Sequence, residues 1–155
     1  MLRLSKLTDY AVVVLARLAR DGDAAPSGPV QTAFSLAGET GIAEPTVAKV
    51  LKLLAQAGLV EGVRGPRGGY RLTRPMASVP LSDIIVAIDG PIALTACVDG
   101  GTGMCEAEGI CPVRGRWDPV NQAIRRALSG ITLADLAPLP RRRPASPAAL
   151  HALAE

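Results

Sequence analysis

A mainly α-helical fold with one small β-hairpin, arranged as a winged helix-turn-helix and continued by a long helix, is what this 155-residue sequence predicts. Three observations carry the prediction. Two helical segments meet at a glycine turn between residues 36 and 57. A glycine- and arginine-rich hairpin signal follows them directly. An apolar stripe at helical spacing then runs from Trp117 to Ile131. With 48% hydrophobic residues the chain has ample material for a core. No apolar run approaches the roughly 18 residues that span a bilayer. The N-terminal residues lack the apolar stretch and small-residue cleavage site of a signal peptide. A cytoplasmic protein with no membrane partner is expected.

The first helix is set by Leu7, Tyr10, Ala11, Val14, Leu15 and Leu18, which share one face at 3.6-residue periodicity and stop at Asp21-Gly22-Asp23. Residues 22–30, with two prolines and two glycines, read as a loop. A short helix starts near Ser35, taken as its N-cap, and ends near Gly41. Pro45 opens the next helix, where its missing N–H costs little. Val47, Val50, Leu51, Leu54 and Ala55 form its apolar stripe, and Gly58 stops it. Segments 59–64 and 69–72 read as strands joined by Gly65-Pro66-Arg67-Gly68. Ile84, Ile85 and Ile88 mark a brief helix over residues 82–88, and Trp117, Val120, Ile124, Leu128 and Ile131 mark the long one, with Gly130 interrupting its end.

A helix-turn-helix followed by a hairpin is the winged-helix arrangement, in which the second helix enters the DNA major groove and presents its N-terminal residues to base edges. Those residues here are Glu44, Thr46, Val47 and Lys49, with Lys52 one turn on. The wing carries Arg64, Arg67 and Arg71, with Arg74 just beyond, against one acid, Glu61. Wing-tip glycines allow close approach to a sugar-phosphate surface. The expected partner is therefore a double-stranded DNA operator, contacted by Thr46, Val47, Lys49, Lys52, Arg64, Arg67 and Arg71. The charge distribution agrees: the overall +3 divides into a basic segment 1–75, with ten Lys/Arg against six Asp/Glu, and an acidic segment 76–137, with four against seven. The expected organisation is a DNA-binding domain over 1–75, a cysteine loop and long helix over 76–136, and a basic tail over 137–155, rich in proline and expected to be disordered.

The single histidine, His151, lies near the C-terminus, and no nucleophile or acid/base constellation is present, so an enzyme is not expected. Three cysteines fall in fifteen residues, as Cys97-x7-Cys105-x5-Cys111. An odd count in a reducing compartment argues against a disulfide framework. The spacing is neither a zinc ribbon nor a ferredoxin run. Gly100, Gly101, Gly103 and Gly109 would let such a loop wrap one soft metal centre. The loop also carries Asp99, Glu106 and Glu108, the opposite of the electropositive setting that activates a nucleophilic thiol. A thiolate-rich site of this kind also accepts zinc, especially in aerobic preparations.

Leu4-Ser5-Lys6-Leu7-Thr8-Asp9-Tyr10-Ala11, Lys49-Val50-Leu51-Lys52-Leu53-Leu54, Ala57-Gly58-Leu59-Val60 and Arg64-Gly65-Pro66-Arg67-Gly68-Gly69-Tyr70-Arg71-Leu72, together with the cysteine triad and Cys111-Pro112, resemble the IscR/NsrR family of bacterial winged-helix iron–sulfur regulators from residue 1 to about 136. The resemblance implies a homodimer held by the long helix, with an iron–sulfur cluster (2Fe–2S or 4Fe–4S) on Cys97, Cys105 and Cys111 whose state sets DNA affinity. The triad and the run Cys111-Pro112-Val113-Arg114-Gly115 look most like the branch regulating the SUF iron–sulfur assembly operon. A nitric-oxide- or redox-sensing repressor of the same family is the alternative reading, and a zinc-stabilised DNA-binding protein without a sensing role is another.

Two departures from the family pattern bear on the fourth ligand. Members with a histidine ligand carry it three residues after the last cysteine, where Arg114 stands here, and the first cysteine interval is longer than in several relatives. In the nitric-oxide-sensing members an aspartate in the first helix of the other subunit completes the site, and Asp9 matches that position. Asp9 of the partner subunit is accordingly the expected fourth metal ligand, with solvent, a small thiol, Glu106 or Glu108 as alternatives. Trp117 is expected to be a core or dimer residue.

Overall fold

The computed structural model describes residues 3–19, 28–101, 105–107 and 109–137. Its elements are α1 (Lys6–Ala19), α2 (Ala33–Thr40), α3 (Glu44–Gln56), β1 (Val60–Val63), β2 (Gly69–Leu72), a single 3₁₀ turn (Met76–Ser78), α4 (Leu81–Asp89), α5 (Asp118–Ser129) and α6 (Leu133–Leu136). The mainly helical winged-helix class predicted from sequence is the class observed. No helix among the described residues is long and apolar enough to cross a membrane. The basic tail, His151 and most of the 22–30 loop lie outside the described residues.

Three helices enclose the core. Val14, Leu15 and Leu18 of α1 meet Val50, Leu51 and Leu54 of α3, and Leu36 of α2 closes one end. Ile84 of α4, Val79 and Leu133 of α6 belong to the same cluster, so the core crosses the division expected at residue 75. Backbone hydrogen bonds knit that crossing: the Leu81 N–H donates to Ile131 O and the Leu133 N–H to Val79 O, each at 2.8 Å.

Local chemistry explains most boundaries. Gly41 takes the left-handed conformation (φ 72°) that ends α2, and its N–H caps Ala37 O. The N-cap of α2 is Thr32 rather than Ser35: Thr32 Oγ1 accepts from the Ser35 N–H at 3.1 Å, so Ser35 lies inside the first turn. The long apolar pattern also divides differently from expectation. Helix α5 ends at Ser129, Gly130 caps it, and Thr132 with Asp135 forms a capping box that starts the separate α6.

The hairpin pairs Val60 with Leu72, Glu61 with Arg71, Gly62 with Tyr70 and Val63 with Gly69. A third, one-residue strand lies beside it: Gln31 and Tyr70 exchange N–H···O bonds of 2.9 and 2.7 Å. The loop expected over 22–30 thus ends by joining the wing to α2.

Helix α1 is tied to the end of α4 by Asp89, whose Oδ2 accepts from Thr8 Oγ1 at 2.7 Å and from the Ser5 N–H at 3.3 Å. Burial pushes the Asp89 carboxyl upward, but the hydrogen bonds from Ser5 and Thr8 outweigh it and hold the group below its ordinary value. A depressed carboxyl stabilises the fold above its unfolded pKa of about 3.9 and loses that contribution as pH falls through the folded value. Asp89→Asn should therefore lower stability near neutral pH, and its gap from wild type should close below about pH 4. Urea denaturation at several pH values measures this, and a gap that does not depend on pH would contradict it.

Candidate functional site

Helix α3 is amphipathic across its width. Val47, Val50, Leu51 and Leu54 are buried, while Glu44, Lys49 and Lys52 are exposed and Thr46 is half-buried at the N-terminal end. Val47 is 0% exposed, which corrects its expected role as a base contact: it shares the face of Val50, Leu51 and Leu54, and a base edge cannot reach it. Thr46, Lys49 and Lys52 remain on the reading helix as the groups able to meet bases or phosphates.

The wing tip is a tight turn in which the Gly68 N–H donates to Gly65 O at 2.9 Å. It holds Arg64 and Arg67 exposed on both sides of Pro66. Arg71 is placed differently from these two. It is half-buried, and its Nε donates to Glu61 Oε1 at 2.5 Å across the hairpin, so its charge is matched within the sheet. Arg74 likewise pairs with Asp83 of α4 at 2.7 Å and braces the exit of the hairpin. Arg17 of α1 pairs with Glu39 of α2, fixing the helix-turn-helix against the core helix. Arg64 and Arg67 at the wing tip and Lys49 and Lys52 on α3 are thus exposed cations, of the kind that meets phosphate; Arg3, Lys6, Arg114, Arg116, Arg125 and Arg126 are exposed elsewhere.

The cysteine loop spans the stretch between α4 and α5. Cys97, Cys105 and Cys111 are all half-buried free thiols. Among the described residues no three His, Cys, Asp or Glu side chains come together closely enough to hold a metal ion, so the structure does not gather the triad. The donor set nevertheless fits a soft metal centre by its chemistry: three reduced sulfurs, no histidine, and a backbone that turns at Gly100 (φ 84°). Asp9 is exposed in the first turn of α1, beside a cleft lined by Leu4, Lys6, Val12 and Leu136.

Two residues of α5 that sequence reasoning passed over hold the Cys97 end of this loop. Asn121, buried in the helix, accepts from the Leu94 N–H at 3.0 Å and donates to Ile92 O at 3.2 Å. Asp118 Oδ1 accepts from the Asp99 N–H at 3.2 Å. The only available signal was one polar residue four positions after Trp117, inside the apolar stripe. Most of that stripe faces outward: Trp117 is 43% exposed, Val120 44% and Ile131 40%, with Ile124 and Leu128 half-buried. Trp117 is therefore not a core residue of the single chain.

The family model Rrf2, described as "Iron-dependent Transcriptional regulator", matches residues 4–138. An HTH-type transcriptional regulator of Azotobacter vinelandii, ORF2, is 34% identical over 135 residues, covering 87% of this chain and 79% of the relative. The HTH-type transcriptional regulator IscR of Escherichia coli is 30% identical over 135 residues, covering 87% and 80%. The solved structure of CymR, the global cysteine regulator of B. subtilis, superposes with a TM-score of 0.66 at 29% identity, covering 88% of this chain and 97% of that one.

Proposed function

Since the chain belongs to the Rrf2 family and is a DNA-binding transcriptional regulator rather than an enzyme, we propose that it acts as a homodimer whose hold on operator DNA depends on an iron–sulfur cluster carried by Cys97, Cys105 and Cys111. The observation that carries this reading is the pairing, in one chain, of a basic wing and reading helix with a loop of three free, half-buried thiols. Bound there, the cluster would supply a centre that responds to oxidants and to iron supply. The spacing of the triad and the run Cys111-Pro112-Val113-Arg114-Gly115 support iron–sulfur assembly genes of the SUF type as targets. Asp9 of the partner subunit remains the candidate fourth ligand.

The chain's own residues supply the rest. Exposed Val120 on α5, with exposed Trp117 and Ile131 just beyond its two ends, gives this segment an apolar surface to bury against the same segment of a second copy. Two reading helices so joined must sit about one DNA turn apart, roughly 34–36 Å, to meet both half-sites. Helix α5 packs on α4, and α4 packs on α1 and α3. A change at the loop therefore has a contiguous packed route to the spacing of the reading helices. It alters affinity only if the binding and non-binding dimers interact differently with the loaded loop.

The test is anaerobic purification with a visible spectrum and iron, sulfide and zinc analysis, followed by operator binding before and after exposure to air. A coloured protein containing iron and sulfide, with an operator affinity that changes at least fivefold on bleaching, is the expected result. A colourless, zinc-loaded protein with unchanged affinity would sink the sensing reading and leave a zinc-stabilised DNA-binding protein.

A further inference from the structure

A polar side chain buried in an otherwise apolar helix stripe is costly unless its hydrogen bonds are made. Asn121 is 1% exposed and makes them with backbone far away in sequence, accepting from Leu94 and donating to Ile92. A carboxamide engaged at both ends fixes the direction as well as the position of the peptide it holds. Cys97 lies three residues beyond that clamp. On its other side, the Asp99 N–H is held by Asp118, one turn earlier on α5. Between the two points the Val98 N–H donates to Thr95 O at 3.5 Å, and a tight turn around Asp99 follows: Gly101 N–H donates to Val98 O at 2.9 Å, and Val98 is buried. A Cβ at Gly101 would lie 2.5 Å from Ala96 O, so the turn is closely packed. Thr95 Oγ1 touches Cys97 Sγ at 3.4 Å just before it.

We propose that Asn121 is a positioning residue which, with Asp118, fastens the Cys97 turn to α5, so that the first thiol of the triad and the helix move as one unit. The loop is then not uniformly free: Cys97 is pre-placed by the helix. What this means for sensing rests on the cluster reading above, whereas the clamp itself does not.

The test uses full-length protein, reduced and stripped of metal with a chelator, pulsed with N-ethylmaleimide at fixed pH. Each cysteine is then quantified separately by peptide mass spectrometry. Asn121→Ala should raise alkylation of Cys97 roughly tenfold relative to Cys105 and Cys111, because two hydrogen bonds that restrain local opening are gone. Asp118→Ala should act in the same direction by less, having one bond to lose. An equal rise at all three thiols would mean general loosening and would overturn the proposal, as would no change. Hydrogen exchange on the wild type gives a second measurement that needs no variant. The Leu94 amide should be protected as strongly as the Ala123 and Ala127 amides of α5, and free exchange at Leu94 would also overturn the clamp. A protein that holds its cluster and responds to air but shows unchanged Cys97 reactivity in Asn121→Ala sinks the clamp alone. A colourless protein with Cys97 selectively unmasked in the variant sinks the sensing reading alone.

Discussion

Replacing both wing-tip arginines, Arg64→Ala with Arg67→Ala, is expected to weaken operator binding about sixtyfold at 0.1 M salt, and almost equally for every DNA sequence. Each cation that neutralises one phosphate contributes a salt-dependence of about −0.9 in log affinity against log salt, worth roughly eightfold at 0.1 M. Both side chains are exposed beside the turn closed by Gly65 and Gly68, so neither change should disturb the core. The salt slope should therefore fall by about 2 while the preference for operator over random DNA is nearly preserved. Arg71→Ala should act differently, because its guanidinium is paired with Glu61 across the hairpin. Fluorescence anisotropy across a salt series measures all three. An unchanged slope in the double variant would show that the tip does not touch phosphate.

Gly69→Ala is expected to destabilise the protein by about 2–3 kcal/mol, combining backbone strain with local overpacking. A Cβ at residue 69 would lie 2.5 Å from Gln31 O and 2.7 Å from Gln31 C, both backbone atoms that cannot swing aside. Relief requires parting β2 from the one-residue strand at Gln31, which breaks the exchanged bonds between Gln31 and Tyr70. The wing would then lose its registry with α2, and operator binding should fall along with stability. Gly62→Ala is the control within the same sheet: its Cβ would meet only Tyr70 Cε1, at 3.9 Å, an ordinary contact. Urea denaturation should separate the two variants clearly. Equal stabilities would mean that the approach of Gln31 to Gly69 is not a constraint.

How much of this was legible beforehand differs from residue to residue, for definite reasons. The faces of α1 and α3 were readable because Val14, Leu15 and Leu18, and Val50, Leu51 and Leu54, repeat at the period of a helix and all six are buried. Val47 stands near the start of the helix, where base contacts are expected, yet its spacing to Val50, Leu51 and Leu54 puts it on their buried face, and periodicity prevails over position. Thr32 and Ser35 are both good N-caps, and nothing local chooses between them. The choice falls to Thr32 because Gln31 is held in the sheet by Tyr70, so the chain must leave extended geometry one residue later. A strand of one residue has no period to detect.

Sequence alone determined the class of fold, the order of its elements, the basic reading helix and wing, and the presence of a three-thiol loop. Each of these depends on local periodicity, turn chemistry or the mere presence of a residue type. Tertiary structure decided which cations remain available at the wing, that one core runs through both halves of the chain, and that α5 grips the Cys97 turn through Asn121 and Asp118. Those features join groups tens of residues apart, as Asn121 joins Leu94. Such a partnership leaves no imprint on the spacing of neighbouring residues, because burial and hydrogen bonding between distant segments are fixed only when the chain packs.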